Sequence, residues 1–300
     1  MEISIQTPLL HSLPLSQRSG CNVWLKMESA QPTGSFKLRS AAHACRYYAE
    51  QGAKGFISSS GGNAGIAVAH SCRKLGLPVT VVVPETTSLR ARELIEQEGA
   101  TLVVHGNVWS EANDYALSLA TDEVIYIHPF DNPLLWAGIS TLVDEVIAAG
   151  VIPDAVILSV GGGSLLSGIA QGLEKHHLSH IPIYAVETEG TASLNASVNA
   201  GKLVRLEKVS GIATTLAASQ VCENAFNVAS RFEVRSQVVS DAEAVRACRL
   251  LLDDHRVLTE PACGVSLSLL YDNKLRFAPT DNVLVIVCGG ASVTLESLLG

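Results

Sequence analysis

Four stretches of this 300-residue chain hold more glycine and small polar side chains than a core needs, and each offers a different chemistry. In Pro32-Thr33-Gly34-Ser35-Phe36-Lys37, Pro32 and Gly34 predict a turn, Ser35 a helix cap, and Lys37 a place in the first helical turn. The positive end of a helix disfavours an ammonium, so a lysine there tends toward the free amine that attacks carbonyls and forms Schiff bases. A surface lysine at a helix start has the same spacing. In Ser58-Ser59-Ser60-Gly61-Gly62-Asn63-Ala64-Gly65, backbone N–H groups supported by Ser60 and Asn63 form a cradle suited to a carboxylate, although an ordinary strand-to-helix turn has the same form.

The run Gly161-Gly162-Gly163-Ser164-Leu165-Leu166 follows an apolar strand and lets the backbone wrap a phosphate at the next helix N-terminus. No Gly-Lys-Ser/Thr follows it, its spacing misses Gly-x-Gly-x-x-Gly, and Leu166 stands where a nucleophile elbow needs its second glycine. A phosphate that is not a nucleotide's fits best. The fourth stretch, Cys288-Gly289-Gly290, ends the last strand, where ligands gather in open α/β sheets; an isolated cysteine there is equally a core residue. His176, His177 and His180 lack an accompanying ligand pattern and read as a solvated helix end.

Positioning these loops requires strands handing over to helices. Short β-prone runs at 56–58, 79–83, 101–104 and 124–127 alternate with helical patterns at 64–75, 87–98 and 109–120. A second set of strands is expected at 155–160, 183–187 and 282–287. Between the sets, Asn132 as N-cap, Pro133 at N1 and Gly150 past the end bound a long helix. Ser240 and Glu243 have capping-box spacing. Two open α/β sheets are predicted.

Composition excludes several classes. The net charge of −8 is spread along the chain, which disfavours nucleic acid. The longest apolar runs are strand-length, too short for a membrane span. Met1-Glu2-Ile3-Ser4 carries no leader pattern, and seven cysteines without a Cys-x-x-Cys pair read as reduced thiols, so a cytoplasmic location is expected.

In order and spacing, the four stretches resemble the fold-type II pyridoxal phosphate enzymes, and within them the L-serine dehydratase family. Glu260-Pro261-Ala262-Cys263-Gly264 and residues 131 to 136 extend the likeness over essentially the whole chain. The resemblance implies an α/β fold of two open, mainly parallel twisted sheets flanked by helices. A large cofactor-binding domain (1–37 and 133–300) and a small domain (38–132) would enclose the active site in their cleft. It implies further that Lys37 holds pyridoxal 5'-phosphate as a Schiff base and then acts as the base at Cα. Phe36, Gly161, Gly162, Gly163, Ser164 and Leu165 would contact the ring and phosphate, Asn63 the 3'-oxygen, and Cys288 the pyridine nitrogen. Ser60, Gly61 and Asn63 would bind the substrate.

The reaction so implied is β-elimination of L-serine to pyruvate and ammonia, and of L-threonine to 2-oxobutyrate and ammonia. Family resemblance also implies a homodimer and a potassium or sodium ion held by Gly161, Glu187, Thr191, Ser193, Leu216 and Ala218. Ser164 stands where a fourth loop glycine is usual. Gly61 replaces both the proton-donating serine of related racemases and the alanine of the more active dehydratase branch. Cysteine synthase-type β-replacement, racemisation and a nucleotide-binding α/β module without covalent chemistry are the alternatives.

Overall fold

A computed structural model describes residues 2 to 299; Met1, part of the segment read for a leader, and Gly300, the last residue of the expected large domain, lie outside the described residues. The chain opens with β1 (Leu9–His11), α1 (Leu13–Ser19), β2 (Asn22–Met27) and α2 (Lys37–Glu50). An alternating run follows: β3 (Gly55–Ser58), α3 (Asn63–Leu75), β4 (Val79–Val83), α4 (Leu89–Gln97), β5 (Thr101–Val104), α5 (Trp109–Ser118) and β6 (Val124–Ile127). Then come α6 (Pro133–Ala148), β7 (Ala155–Ser159), α7 (Ser164–Lys175), β8 (Ile183–Thr188), α8 (Ser193–Ala200), α9 (Glu223–Arg231) and β9 (Val234–Val239). The described chain closes with α10 (Asp241–His255), α11 (Pro261–Tyr271), β10 (Asn282–Val287) and α12 (Leu295–Leu299).

Two sheets result. One is four-stranded and wholly parallel in the order β5-β4-β3-β6; the other is six-stranded in the order β1-β2-β10-β7-β8-β9, with β1 alone antiparallel. Parallel neighbours share a direction, so β10, β7 and β8 deliver their carboxyl ends to one edge of the larger sheet. Each sheet has its own apolar cluster, around Val156, Leu166 and Val285 in the larger and around Phe56, Ala67 and Val81 in the smaller. Helix α6 bridges them. Gly138 lets α2 approach it and Gly168 lets α7 do so, since a Cβ at either position would lie 2.4 Å from a neighbouring atom.

Most expected elements form within a residue or two, including the Asn132 cap, where its side chain accepts from Leu134 N–H, and the Ser240–Glu243 capping box. Strands β1, β2 and β9 are additions. Lys26 interrupts the apolar run of β2, and β9 alternates with Arg235 and Gln237, as suits a sheet edge. Ser35 does not cap α2: Phe36 is the N-cap residue, and the buried Ser35 hydroxyl has no partner. The Ser35 backbone instead forms a β-bridge with Gly289, flanked by Phe36 N–H donating to Cys288 O (3.1 Å) and Gly290 N–H to Gly34 O (2.9 Å).

Just beyond Lys37, a buried ion network fixes the first turn of α2. Arg39 donates to both Glu28 oxygens at 2.8 Å and to Glu145 Oε2 at 2.7 Å, and Lys26 joins Glu145 and Thr7 O. Each buried charge has a partner, so none is left uncompensated, although burial still weighs against the Lys26 ammonium.

Candidate active site

Lys37 begins α2 and is half-buried. Its Nζ donates to Pro129 O at 2.7 Å and Ser164 Oγ at 3.1 Å, and stands 5.2 Å from the Phe36 ring centroid. Burial pushes the ammonium down to about 8, against smaller opposing effects of Cys222 and Cys288. Desolvation, rather than the helix end alone, thus gives the amine its nucleophilic form near neutrality. The Pro129 carbonyl is aimed by His128, whose Nδ1 accepts from Phe130 N–H (3.2 Å) and Asp131 N–H (2.8 Å). Burial lowers the His128 pKa, consistent with a ring nitrogen used as an acceptor.

Opposite the amine lies the turn from β7 into α7. Among the described residues, the N–H groups of residues 161 to 165 donate to no protein group. They gather at the positive end of a twelve-residue helix. Gly162 and Gly163 cannot take side chains. A Cβ on Gly162 would lie 2.2 Å from the Phe130 ring, one on Gly163 would meet Ala225 at 2.4 Å, and Gly163 is left-handed at φ +94°. Ser164 fills the expected glycine position without loss, because its hydroxyl points to Lys37 and remains able to donate. These free amides around a desolvated lysine fit a phosphate-bearing aldehyde.

The turn from β3 into α3 presents Ser60, Gly61, Gly62 and Asn63. Ser60 Oγ accepts from Gly62 N–H at 3.3 Å. Gly65 is obligatory in this turn, since a Cβ there would lie 1.8 Å from Ser60 O. A Cβ on Gly61 would meet the Thr87 side chain first, 2.5 Å from Oγ1. Asn63 is held at both ends, donating to Glu260 Oε1 (2.8 Å) and accepting from Ala291 N–H (2.9 Å). Cys288 is buried at the end of β10 and bridged to the lysine loop. The neighbouring Cys263 thiol and burial hold its pKa well above the usual thiol value, so it is a neutral S–H.

The expected cation ligands fall into two groups. Glu187, fully buried at the end of β8, accepts from Leu194 and Asn195 N–H at 2.8 Å each, and burial pushes its carboxyl up to about 7. Beside it, the Ser193 hydroxyl is buried with no partner, and Thr191 O accepts from Ser193 N–H. Gly161 lies against Leu216, whose carbonyl accepts from Ala218 N–H at 2.7 Å. The dismissed histidines are structural at one point: His176 meets Asp144, at 2.7 Å. No cluster of three metal-ligating side chains occurs among the described residues.

Sequence reasoning missed Pro129, Thr87, Thr215 and Glu260. A carbonyl carries no side-chain signal, and the other three reach the site only through tertiary packing. The Glu260-Pro261 dipeptide opening a helix was the available clue for the last.

A parallel α/β frame with a half-buried lysine of lowered pKa between two glycine turns has the features of an enzyme built for an anionic carbonyl cofactor. The chain belongs to the pyridoxal-phosphate dependent enzyme family, which matches residues 2–289. It is 46% identical to a serine dehydratase-like protein of Rattus norvegicus, covering 97% of this chain and 92% of that one. It is 41% identical to the L-serine dehydratase/L-threonine deaminase of Homo sapiens, over 99% and 94% of the two chains. The crystal structure of a fungal L-serine ammonia-lyase from Rhizomucor miehei superposes with a TM-score of 0.94 at 36% identity, covering 99% of this chain and 98% of that one. The fold is therefore that of the fold-type II enzymes expected above.

Proposed function

We propose that this protein eliminates water from L-serine and L-threonine, releasing pyruvate or 2-oxobutyrate together with ammonia. Support comes chiefly from the Lys37 amine, its pKa brought down to about 8 by burial and its Nζ aimed by Pro129 and Ser164 across a cradle of free amides. The relatives named for serine and threonine elimination support the substrate class. In this reading, residues 38 to 132 act as a small domain against a large one formed by 1–37 and 133–300, in a cytoplasmic homodimer. No described helix is long and apolar enough to cross a membrane.

Pyridoxal phosphate, when bound, supplies the electron sink for charge developing at the substrate Cα. Lys37 would hold it covalently, with Phe36 against the ring. The amides of Gly161, Gly162, Gly163, Ser164 and Leu165 would take its phosphate, Asn63 the ring oxygen and Cys288 the ring nitrogen. Ser60, Gly61 and Asn63 receive the substrate carboxylate at the N-terminus of α3. Lys37, once free, takes the Cα proton; an amine with a pKa near 8 is matched to that task. The Cys288 thiol is neutral and a weak hydrogen-bond group, so it would not hold a ring nitrogen protonated as a carboxylate would. A moderate sink suits elimination, where the departing hydroxyl carries electrons away. Gly61 offers no proton donor for the opposite face of Cα, which argues against racemisation.

Glu187, Thr191, Ser193, Gly161, Leu216 and Ala218 would hold a potassium or sodium ion. The partnerless Ser193 hydroxyl supports this assignment. The deciding experiment adds L-serine to purified protein, following the visible absorbance and pyruvate together. A yellow protein whose band shifts as pyruvate accumulates is expected, and Lys37→Ala should lose both the band and turnover. Pyruvate formation at the parent rate by Lys37→Ala would overturn the proposal.

A further inference from the structure

We propose, resting on the roles given above to Lys37 and Asn63, that Glu260 is a positioning residue. It sets the orientation of the Asn63 amide so that one N–H is committed to Glu260 and the other is kept for the cofactor's ring oxygen. Glu260 stands immediately before α11 and is 7% exposed. Its Oε1 accepts from Asn63 Nδ2 at 2.8 Å and from Thr215 Oγ1 at 2.6 Å. The Thr215 hydroxyl therefore braces the carboxylate that braces the amide.

A side-chain amide has one acceptor oxygen and two donor hydrogens, and a half-turn about its last bond exchanges them. In the observed orientation Asn63 Oδ1 receives Ala291 N–H at 2.9 Å while Nδ2 faces the carboxylate. The flipped amide would set oxygen against carboxylate oxygen and N–H against N–H, losing both bonds and placing like against like. Glu260 and Ala291 together thus select one orientation. It leaves a single Nδ2 hydrogen without a protein partner among the described residues.

A Cβ on Gly290 would lie 2.5 to 2.7 Å from Glu260 side-chain carbons. Glycine at the end of β10 thus makes space for the Glu260 side chain. Burial pushes the Glu260 carboxyl up to about 7, leaving it ionised at pH 8, where the Lys37 amine is also available.

The test reads the cofactor rather than turnover. At pH 8, the holoenzyme absorbance band and the affinity for pyridoxal phosphate are compared for the parent, Glu260→Asp, Glu260→Gln, Asn63→Ala and the Glu260→Asp/Asn63→Ala double variant. Aspartate keeps the charge and suits a helix start, but withdraws its oxygens by about 1.5 Å. Glutamine keeps the reach and an acceptor oxygen. Glu260→Asp should weaken the cofactor about tenfold and move the band in the same direction as Asn63→Ala. The double variant should lose no more than Asn63→Ala alone, and Glu260→Gln should stay within about twofold of the parent. Parent-like affinity and band in Glu260→Asp, a loss in Glu260→Gln equal to that in Glu260→Asp, or losses that multiply in the double variant would each overturn it. A parent that captured no pyridoxal phosphate would overturn the site assignment and this pairing together; the three other results fall on the pairing alone.

Discussion

The two glycine turns at the centre of the molecule share a design and differ in what surrounds them. Both run from a buried parallel strand through glycines into a helix N-terminus. At residues 161 to 165 the turn is boxed in by bulk: Phe130 on Gly162, Ala225 on Gly163, and Leu216 on Gly161, with Cys222 N–H fastened to Gly162 O at 3.0 Å. At residues 60 to 63 the nearest neighbours of the turn glycines are the side chains of Thr87, at Gly61, and Thr215, at Gly62. The rigid cradle suits a group that stays, and the looser one a group that arrives and leaves with each turnover. In the proposed reading, identical backbone chemistry would serve two ligands through different flanks.

Gly162→Ala should break that difference hardest. Its methyl falls among the Phe130 ring atoms, and Phe130 is itself anchored through its carbonyl to Trp136 Nε1. Affinity for pyridoxal phosphate should fall about a hundredfold, or ~3 kcal/mol, measured by absorbance titration. Next in size is the pH dependence of cofactor capture. The free-amine fraction of Lys37 rises through about 8, so the capture rate should climb roughly tenfold between pH 7 and pH 9 and then level. A midpoint near 10 would show that burial does not set the amine.

Gly61→Ala is the matching perturbation of the looser turn. Thr87 must swing aside, so kcat/KM for L-serine should change only about two- to fivefold, and a companion Thr87→Ala should return it toward the parent value. The smallest effect expected is that of the monovalent cation. The Glu187 carboxyl is raised to about 7, above its unfolded value. Without an ion, its contribution to stability is therefore complete below the unfolded pKa and lost as pH rises through about 7. An ion at Glu187 needs the carboxylate. Potassium should raise the melting temperature by about 2 °C at pH 8.5 and by less at pH 5.5. The reverse order would remove Glu187 from the site.

The glycine turns and Lys37 are legible in the sequence because backbone constraints leave a local trace: glycine where a Cβ collides, a cap where a helix starts. Strand β2 is obscured because Lys26 interrupts its apolar run, and the reason for that lysine, Glu145, lies far along the chain on α6. Ser35 misleads because a serine before a helix reads as a cap, whereas here its backbone bridges Gly289. Pro129 acts through a carbonyl, which every residue has. Glu260 is visible as a motif, but its partners Asn63 and Thr215 come from two other, widely separated segments of the chain. What the sequence hides is pairing at a distance, which periodicity and propensity do not encode.

The bridge between Ser35 and Gly289 carries a consequence for how the chain matures. Lys37 comes from near one end of the sequence and Cys288 from near the other, and the hydrogen bonds joining their loops are the longest-range pairing of the fold's active region. Contacts of such sequence separation form late, because the entropy of closing so large a loop must be met before they give anything back. A ribosome-bound chain still lacking β10 would hold its lysine without the strand that frames it. If Lys37 holds the cofactor as proposed, acquisition of yellow colour during refolding should mark the last strand's arrival, separable from the earlier appearance of helical signal.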